Sequence, residues 1–203
     1  MNHSGEGRVS ESLVELSRLA ATVADTAAEQ IAEAGKLVWD SLSAGGKVLA
    51  CGNGGSAADA QHFVAELVGR MGRERRALPA VSLSADSSVV TALTNDYGAE
   101  NLFSRQIEAL GQTGDVLLAI STSGHSPNVL RAVEVAHQRG LRTIALLGED
   151  GDPSLSSCDV CIHVPCPNSQ RVQELHMAAL HAICDLVERQ VTAGLLESDQ
   201  ALP

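Results

Sequence analysis

The 203-residue sequence predicts an α/β fold: a doubly wound, parallel five-stranded sheet with helices over both faces. Three observations predict it. Five short apolar runs recur along the chain, and most are separated by stretches whose apolar residues repeat at helical spacing. Strands joined through helices need crossovers, which make the sheet parallel and bury both its faces. Two of the runs lead into loops of Gly, Ser and Asn that open a helix, where such folds bind their ligands.

The elements follow in order. Leu13, Leu16, Leu19, Ala20, Val23, Ala27, Ile31, Ala34, Val38 and Leu42 fall on one helical stripe, so residues 10–42 form one long helix or two. Gly45-Gly46 ends that segment, which either covers a sheet or packs on a partner subunit. Residues 47–51 read as a buried strand, followed by a glycine turn and a helix over 57–69. A second strand covers 80–84, with helical material on both sides of Asn95-Asp96-Tyr97-Gly98. The third strand, 116–120, enters a serine-rich loop and a helix near 128–139. Strands at 143–147 and 160–164 and a closing helix over 171–191 complete the set. Residues 1–8 and 195–203 read as flexible tails around a single domain of 9–194.

Composition excludes several function classes. The chain is 44% hydrophobic but only 2% aromatic, so its core is aliphatic and no stacking platform for bases is present. A formal charge of −11 disfavours both a nucleic-acid track and a basic membrane-binding patch. The N-terminus lacks the apolar stretch of a signal peptide, and no run approaches the ~18 residues of a membrane span. Five cysteines, an odd number in a chain long enough to fold without staples, point to reduced thiols in the cytoplasm.

The two loops carry the first chemistry. Asn53-Gly54-Gly55-Ser56 and Ser121-Thr122-Ser123-Gly124-His125-Ser126 each place small residues and hydroxyls at a helix N-terminus, the parts of an anion site. Gly52-x-Gly54-x-x-Ala57 also satisfies a loose dinucleotide pattern, with Asp86 as its ribose acid. That acid lies 34 residues on rather than ~20, and the second loop would then have no role, so the pattern is set aside. No Gly-Lys-Ser/Thr follows the glycines, which excludes a Walker loop.

Helix-borne groups carry the second. His62 and Glu66 are four apart on one helix face. Gln173 and His181, eight apart on the last helix, are separated by roughly 80° around its axis. His176 is roughly 140° from His181 and cannot easily serve the same centre. If the two helices converge, His62, Glu66, Gln173 and His181 form an N/O set for a divalent metal such as zinc. Spacing leaves open whether they do. Cys158, Cys161 and Cys166 lack a second pair for a zinc ribbon and read as structural thiols, with Cys161 facing away from Cys158 along a strand. Arg70, Arg73, Arg75 and Arg76 either touch an anion or an acidic neighbour, or form a solvated loop.

Together the two loops, Gln61-His62-Phe63-Val64-Ala65-Glu66, Thr94-Asn95-Asp96-Tyr97-Gly98 and the Arg171–His181 stretch resemble the sugar isomerase (SIS) domain proteins, specifically the phosphoheptose isomerases. The resemblance implies a flavodoxin-like five-stranded sheet and a homotetramer with active sites between subunits. It implies interconversion of sedoheptulose 7-phosphate with D-glycero-D-manno-heptose 7-phosphate, and one zinc per site. By the same resemblance Ser121, Thr122, Ser123 and Ser126 hold the phosphate with Ser56 nearby, while Asn53, Gly54, Gly55, Asn95 and Asp96 line the sugar. His62, Glu66, Gln173 and His181 match zinc ligands, and Glu66 with His181 matches the acid–base pair. Gln170 stands where some of these isomerases carry Asp. Noncatalytic phosphosugar-sensing or replication-initiator-binding SIS proteins are the alternative; the initiator-binding ones lack the acid–base pair at the places matched by Glu66 and His181.

Overall fold

The computed structural model describes residues 5–200, with the stretch 194–200 given as helical backbone only. Five strands form one sheet: β1 (Val48–Gly52), β2 (Ala80–Ser82), β3 (Val116–Ser121), β4 (Arg142–Leu147) and β5 (Val160–His163). Their order is β2-β1-β3-β4-β5, and every pair is parallel. Six helices accompany them: α1 (Gly5–Ser43), α2 (Gly55–Val68), α3 (Ser87–Tyr97), α4 (Leu102–Leu110), α5 (Pro127–Gln138) and α6 (Ser169–Gln200).

Strand parity sorts the core into two layers. Val48, Ala50, Val116, Leu118, Ile120, Ile144, Leu146 and Ile162 face α1, α2 and α6. Leu49, Cys51, Leu117, Ala119, Ala145 and Leu147 face α4 and α5. The two phenylalanines are divided one to a layer, Phe63 and Phe103, both 1% exposed.

Several boundaries differ from the expected ones. The N-terminal segment is a single helix whose fully buried residues begin only at Val23, and its first turns leave Val9, Leu13 and Val14 exposed. Helix α1 starts at Gly5 and α6 runs to Gln200, so 5–8 and 195–200 are helical; 1–4 and 201–203 lie outside the described residues. Strand β2 stops at Ser82 because pairing with β1 ends there, Leu83 N–H making the last bond to the Ala50 carbonyl. Helix α3 absorbs Asn95, Asp96 and Tyr97, where a break was expected.

The order of strands sets the topological switch point, where folds of this kind bind their ligands. The chain leaves β1 for β2 on one side and returns to β3 on the other. Gly52 and Ile120 are partners in the register, so the loops after β1 and β3 emerge side by side at the switch point.

Candidate active site

Those two loops and α6 enclose a small polar cleft lined by Asn53, Ser56, Ser121, Thr122, Ser123, Ser126 and Gln173. Helices α2 and α5 both begin there, directing two positive helix ends at one volume. The second loop is held by its own hydroxyls. Ser121 Oγ lies 3.3 Å from Ser126 Oγ and accepts from Gly124 N–H at 3.2 Å, while Ser123 Oγ accepts from His125 N–H. Gly124 takes φ +66° and abuts Gly151, so the loop after β4 supports it from behind, with Asp152 N–H bonded to the Gly124 carbonyl. Over the first loop, the Gln173 carboxamide occupies the space a side chain on Gly55 would fill, 2.6 Å from the Cβ position.

Helices α2 and α6 do converge. His62 Nε2 lies 3.2 Å from Glu66 Oε1 and 3.2 Å from His181 Nε2. The two imidazoles meet edge to face, their centroids 5.1 Å apart. One ligand atom from each of His62, Glu66 and His181 lies within 4.8 Å of the others. The second Glu66 oxygen, Oε2, is buried without a hydrogen-bond partner. A carboxylate with one oxygen against an imidazole and its other oxygen unpartnered, together with a second imidazole, is the donor set of a small divalent cation, and its chemistry fits zinc.

A buried ion pair holds the two helices beyond this cluster. The Arg75 guanidinium donates to the carbonyls of Glu66, Leu67 and Gly69 at the C-terminus of α2, where carbonyls lack helical partners. It also pairs at 3.3 Å with Glu188 on α6, both side chains being 1% exposed. Burial opposes the charge of Glu188. The backbone N–H groups of Met71, Gly72 and Arg73, with Arg75, outweigh it and hold the carboxyl below its ordinary range. Asp59, one turn before His62, has a buried oxygen without a partner; burial raises its pKa and His62 pulls it back.

The expected residues thus fall into three groups. Asn53, Ser56, Ser121, Thr122, Ser123, Ser126 and Gln173 meet at the cleft, with Gly54 capping and Gly55 opening α2 beside it. His62, Glu66 and His181 meet at the helix crossing. Asn95 and Asp96 do not line the cleft; they are exposed on α3, bonded to each other at 2.7 Å. Gln170 is exposed in the first turn of α6, its N–H bonded to Asn168. His176 turns inward, as its helical angle implies, and bonds the Leu147 carbonyl at 3.0 Å.

Other readings change. Of the alternatives for the arginine loop, the acidic neighbour holds for three: Arg75 is the clasp to Glu188 just described, and Arg70 and Arg73 pair with Glu74 and Asp185. Asp86 caps α3, accepting from Ser88 and Val89 N–H, which removes the last support for a ribose role. Cys158 and Cys161 turn to the same layer, because Cys158 precedes the strand and only Val160 onward alternates. Sequence reasoning missed Asn128 and Glu188. The first had a signal, its place directly after the serine loop; the second sits among charged residues of α6 and had none.

Comparison with known proteins agrees with this geometry. The sequence profile of the SIS domain matches residues 13–148. A phosphoheptose isomerase of Citrifermentans bemidjiense is 55% identical over 161 residues, 79% of this chain and 84% of the relative. The chain belongs to the SIS-domain phosphoheptose isomerase family. Two solved members of that family superpose closely. Phosphoheptose isomerase GmhA from Neisseria gonorrhoeae is 43% identical with a TM-score of 0.86, covering 92% of this chain and 100% of its own. The phosphoheptose isomerase from Francisella tularensis is 36% identical with a TM-score of 0.88, covering 92% and 99%.

Proposed function

We propose that this chain is a phosphoheptose isomerase interconverting sedoheptulose 7-phosphate and D-glycero-D-manno-heptose 7-phosphate. One observation carries the assignment of the reacting end: a glutamate with a buried, unpartnered oxygen stands beside two histidines at the crossing of α2 and α6. Ketose-to-aldose conversion removes a proton from C1, forms an enediol and returns a proton to C2. Glu66 is the base and later the acid at carbon, and His181 moves the proton between the two oxygens. Ser121, Thr122, Ser123 and Ser126, with Ser56, hold the phosphate through hydroxyls and helix N-termini, and Asn53 and Gln173 orient the sugar. The phosphate takes no part in the chemistry; it holds the reactive end near Glu66.

His62, Glu66 and His181, with Gln173, would hold one zinc ion. Such an ion would supply Lewis acidity toward the sugar's carbonyl oxygen. The protein works as a cytoplasmic homotetramer with sites between subunits. Exposed Leu13 and Val14 on α1 and an α3 with no buried residue support subunit contacts. Five unpaired thiols support a reducing compartment. No helix among the described residues is long and apolar enough to cross a membrane.

Incubation with sedoheptulose 7-phosphate, followed by NMR, should yield the aldoheptose 7-phosphate. Glu66→Gln should lower kcat by roughly 10²–10⁴-fold while phosphosugar binding persists. An unimpaired Glu66→Gln enzyme refutes the role of Glu66, and a wild type that converts nothing refutes the reaction.

A further inference from the structure

Asn128 is the second residue of α5, directly after the serine loop. Asparagine is a poor helix former, and Val129, Ala132 and Val133 already supply the apolar face of this helix. Yet Asn128 is only 9% exposed. Its carboxamide is engaged by a residue 75 positions earlier. Asn53 Nδ2 donates to Asn128 Oδ1 at 2.9 Å, and Asn128 Nδ2 donates to Asn53 Oδ1 at 2.9 Å.

A reciprocal amide pair of this kind locks the two carboxamides to each other, coplanar and in a fixed relative sense, since turning one of them alone sets donor against donor and acceptor against acceptor. It leaves Asn53 one N–H and one lone pair for whatever enters the cleft that Asn53 lines. The pair also bridges the loop after β1 to the start of α5, across the switch point.

We infer that Asn128 is a positioning residue for the isomerisation. Through Asn53 it holds the plane of that carboxamide at the sugar, and it holds the sugar-lining loop at a fixed distance from the phosphate loop before substrate arrives. This rests on the reading of Asn53 as a sugar contact of a phosphoheptose isomerase.

The test is a double-mutant cycle on the full chain with Asn53→Ala, Asn128→Ala and the double variant. Each is measured for kcat and KM on sedoheptulose 7-phosphate, inhibition by inorganic phosphate, and thermal unfolding. Asn128→Ala should lower kcat roughly tenfold or more. Its phosphate inhibition constant should stay within about twofold of wild type, because the phosphate loop keeps its own hydroxyl bonds. In the Asn53→Ala background the same substitution should change kcat by less than about twofold, since the group it acts through is gone. Equal losses in both backgrounds, or no loss in either, overturn the inference. Should Asn128→Ala not fold, Asn128→Leu fills nearly the same volume without a hydrogen-bonding group and replaces it in the cycle. A wild type that binds the phosphosugar without converting it refutes the isomerase reading instead. The cycle is then read on the dissociation constant of sedoheptulose 7-phosphate, where coupling between the two residues upholds the positioning role and its absence overturns it.

Discussion

Two histidines on α6 show how one helix assigns opposite tasks to one side chain. His181 faces α2 and meets His62, whereas His176, five residues earlier, is fully buried against the end of β4. Burial depresses the His176 pKa from 6.5 to about 4, against a smaller opposing effect of the hydrogen bond to Leu147. The neutral ring is therefore the folded form. Between pH 6.5 and 4 the unfolded chain takes up a proton that the folded chain refuses, so stability falls as pH falls through that window and levels off below it. The full effect is on the order of 3 kcal/mol. His176→Gln keeps a donor for the Leu147 carbonyl and removes the titration. Urea unfolding at pH 7 and pH 4.5 should show the wild type losing more stability than the variant; equal losses contradict the assignment. The angular argument that separated these histidines needed only the sequence. The depth at which His176 sits did not follow from it, because burial depends on β4, which no local pattern links to α6.

At the scale of elements, the proposed site depends on contacts made outside the cleft. The Arg75–Glu188 pair fastens the end of α2 to α6, one turn beyond Glu66 and two beyond His181. Removing one partner leaves a buried charge unpaired, so Arg75→Met should cost about 3–5 kcal/mol in urea unfolding. Arg75→Met/Glu188→Met should recover part of that loss, because neither charge then remains. A second such contact lies behind the phosphate loop. A side chain on Gly148 would overlap the Thr122 carbonyl oxygen, which is backbone and cannot swing aside. Gly148→Ala should therefore weaken inorganic phosphate binding by roughly tenfold, with a smaller change in overall stability, measured by calorimetry and thermal unfolding. Five strands, their parallel sense and the two loops were legible in the sequence because each is a local pattern of periodicity and turn chemistry. Helix ends shifted by a few residues where a loop's own backbone bonds begin the helix early, as at Gly55 and Ser56, which join the first turn of α2 because Ala57 and Ala58 N–H bond the Gly54 carbonyl. Arg75 and Glu188 were not legible as a pair: 113 residues separate them, and charged residues ordinarily face solvent.

For the whole molecule, the net charge of −11 and a phosphorylated ligand are compatible because the proposed anion site is local. It uses hydroxyls and two helix N-termini at the switch point, and none of the side chains lining the cleft carries a charge. On the proposed assignment of the sugar-lining residues, what a single chain leaves unfinished is the sugar end. Asn95 and Asp96 lie outside the cleft on α3, a helix with no buried residue, while the first turns of α1 expose Leu13 at 61% and Val14 at 44%. An apolar helix end and an unburied helix on one chain are what a symmetric assembly would cover. If the proposed tetramer is right, sedimentation should give four times the 21.1 kDa chain mass. Leu13→Glu, at a residue that does not line the cleft, should shift the protein to smaller species with its helical circular dichroism retained. Its kcat/KM should fall at least about tenfold, because a closed oligomer that completes each site loses the site when it dissociates. Full activity in a monomeric Leu13→Glu protein would instead show that one chain carries the whole site, and would return Asn95 and Asp96 to the surface of α3 without a role in the reaction.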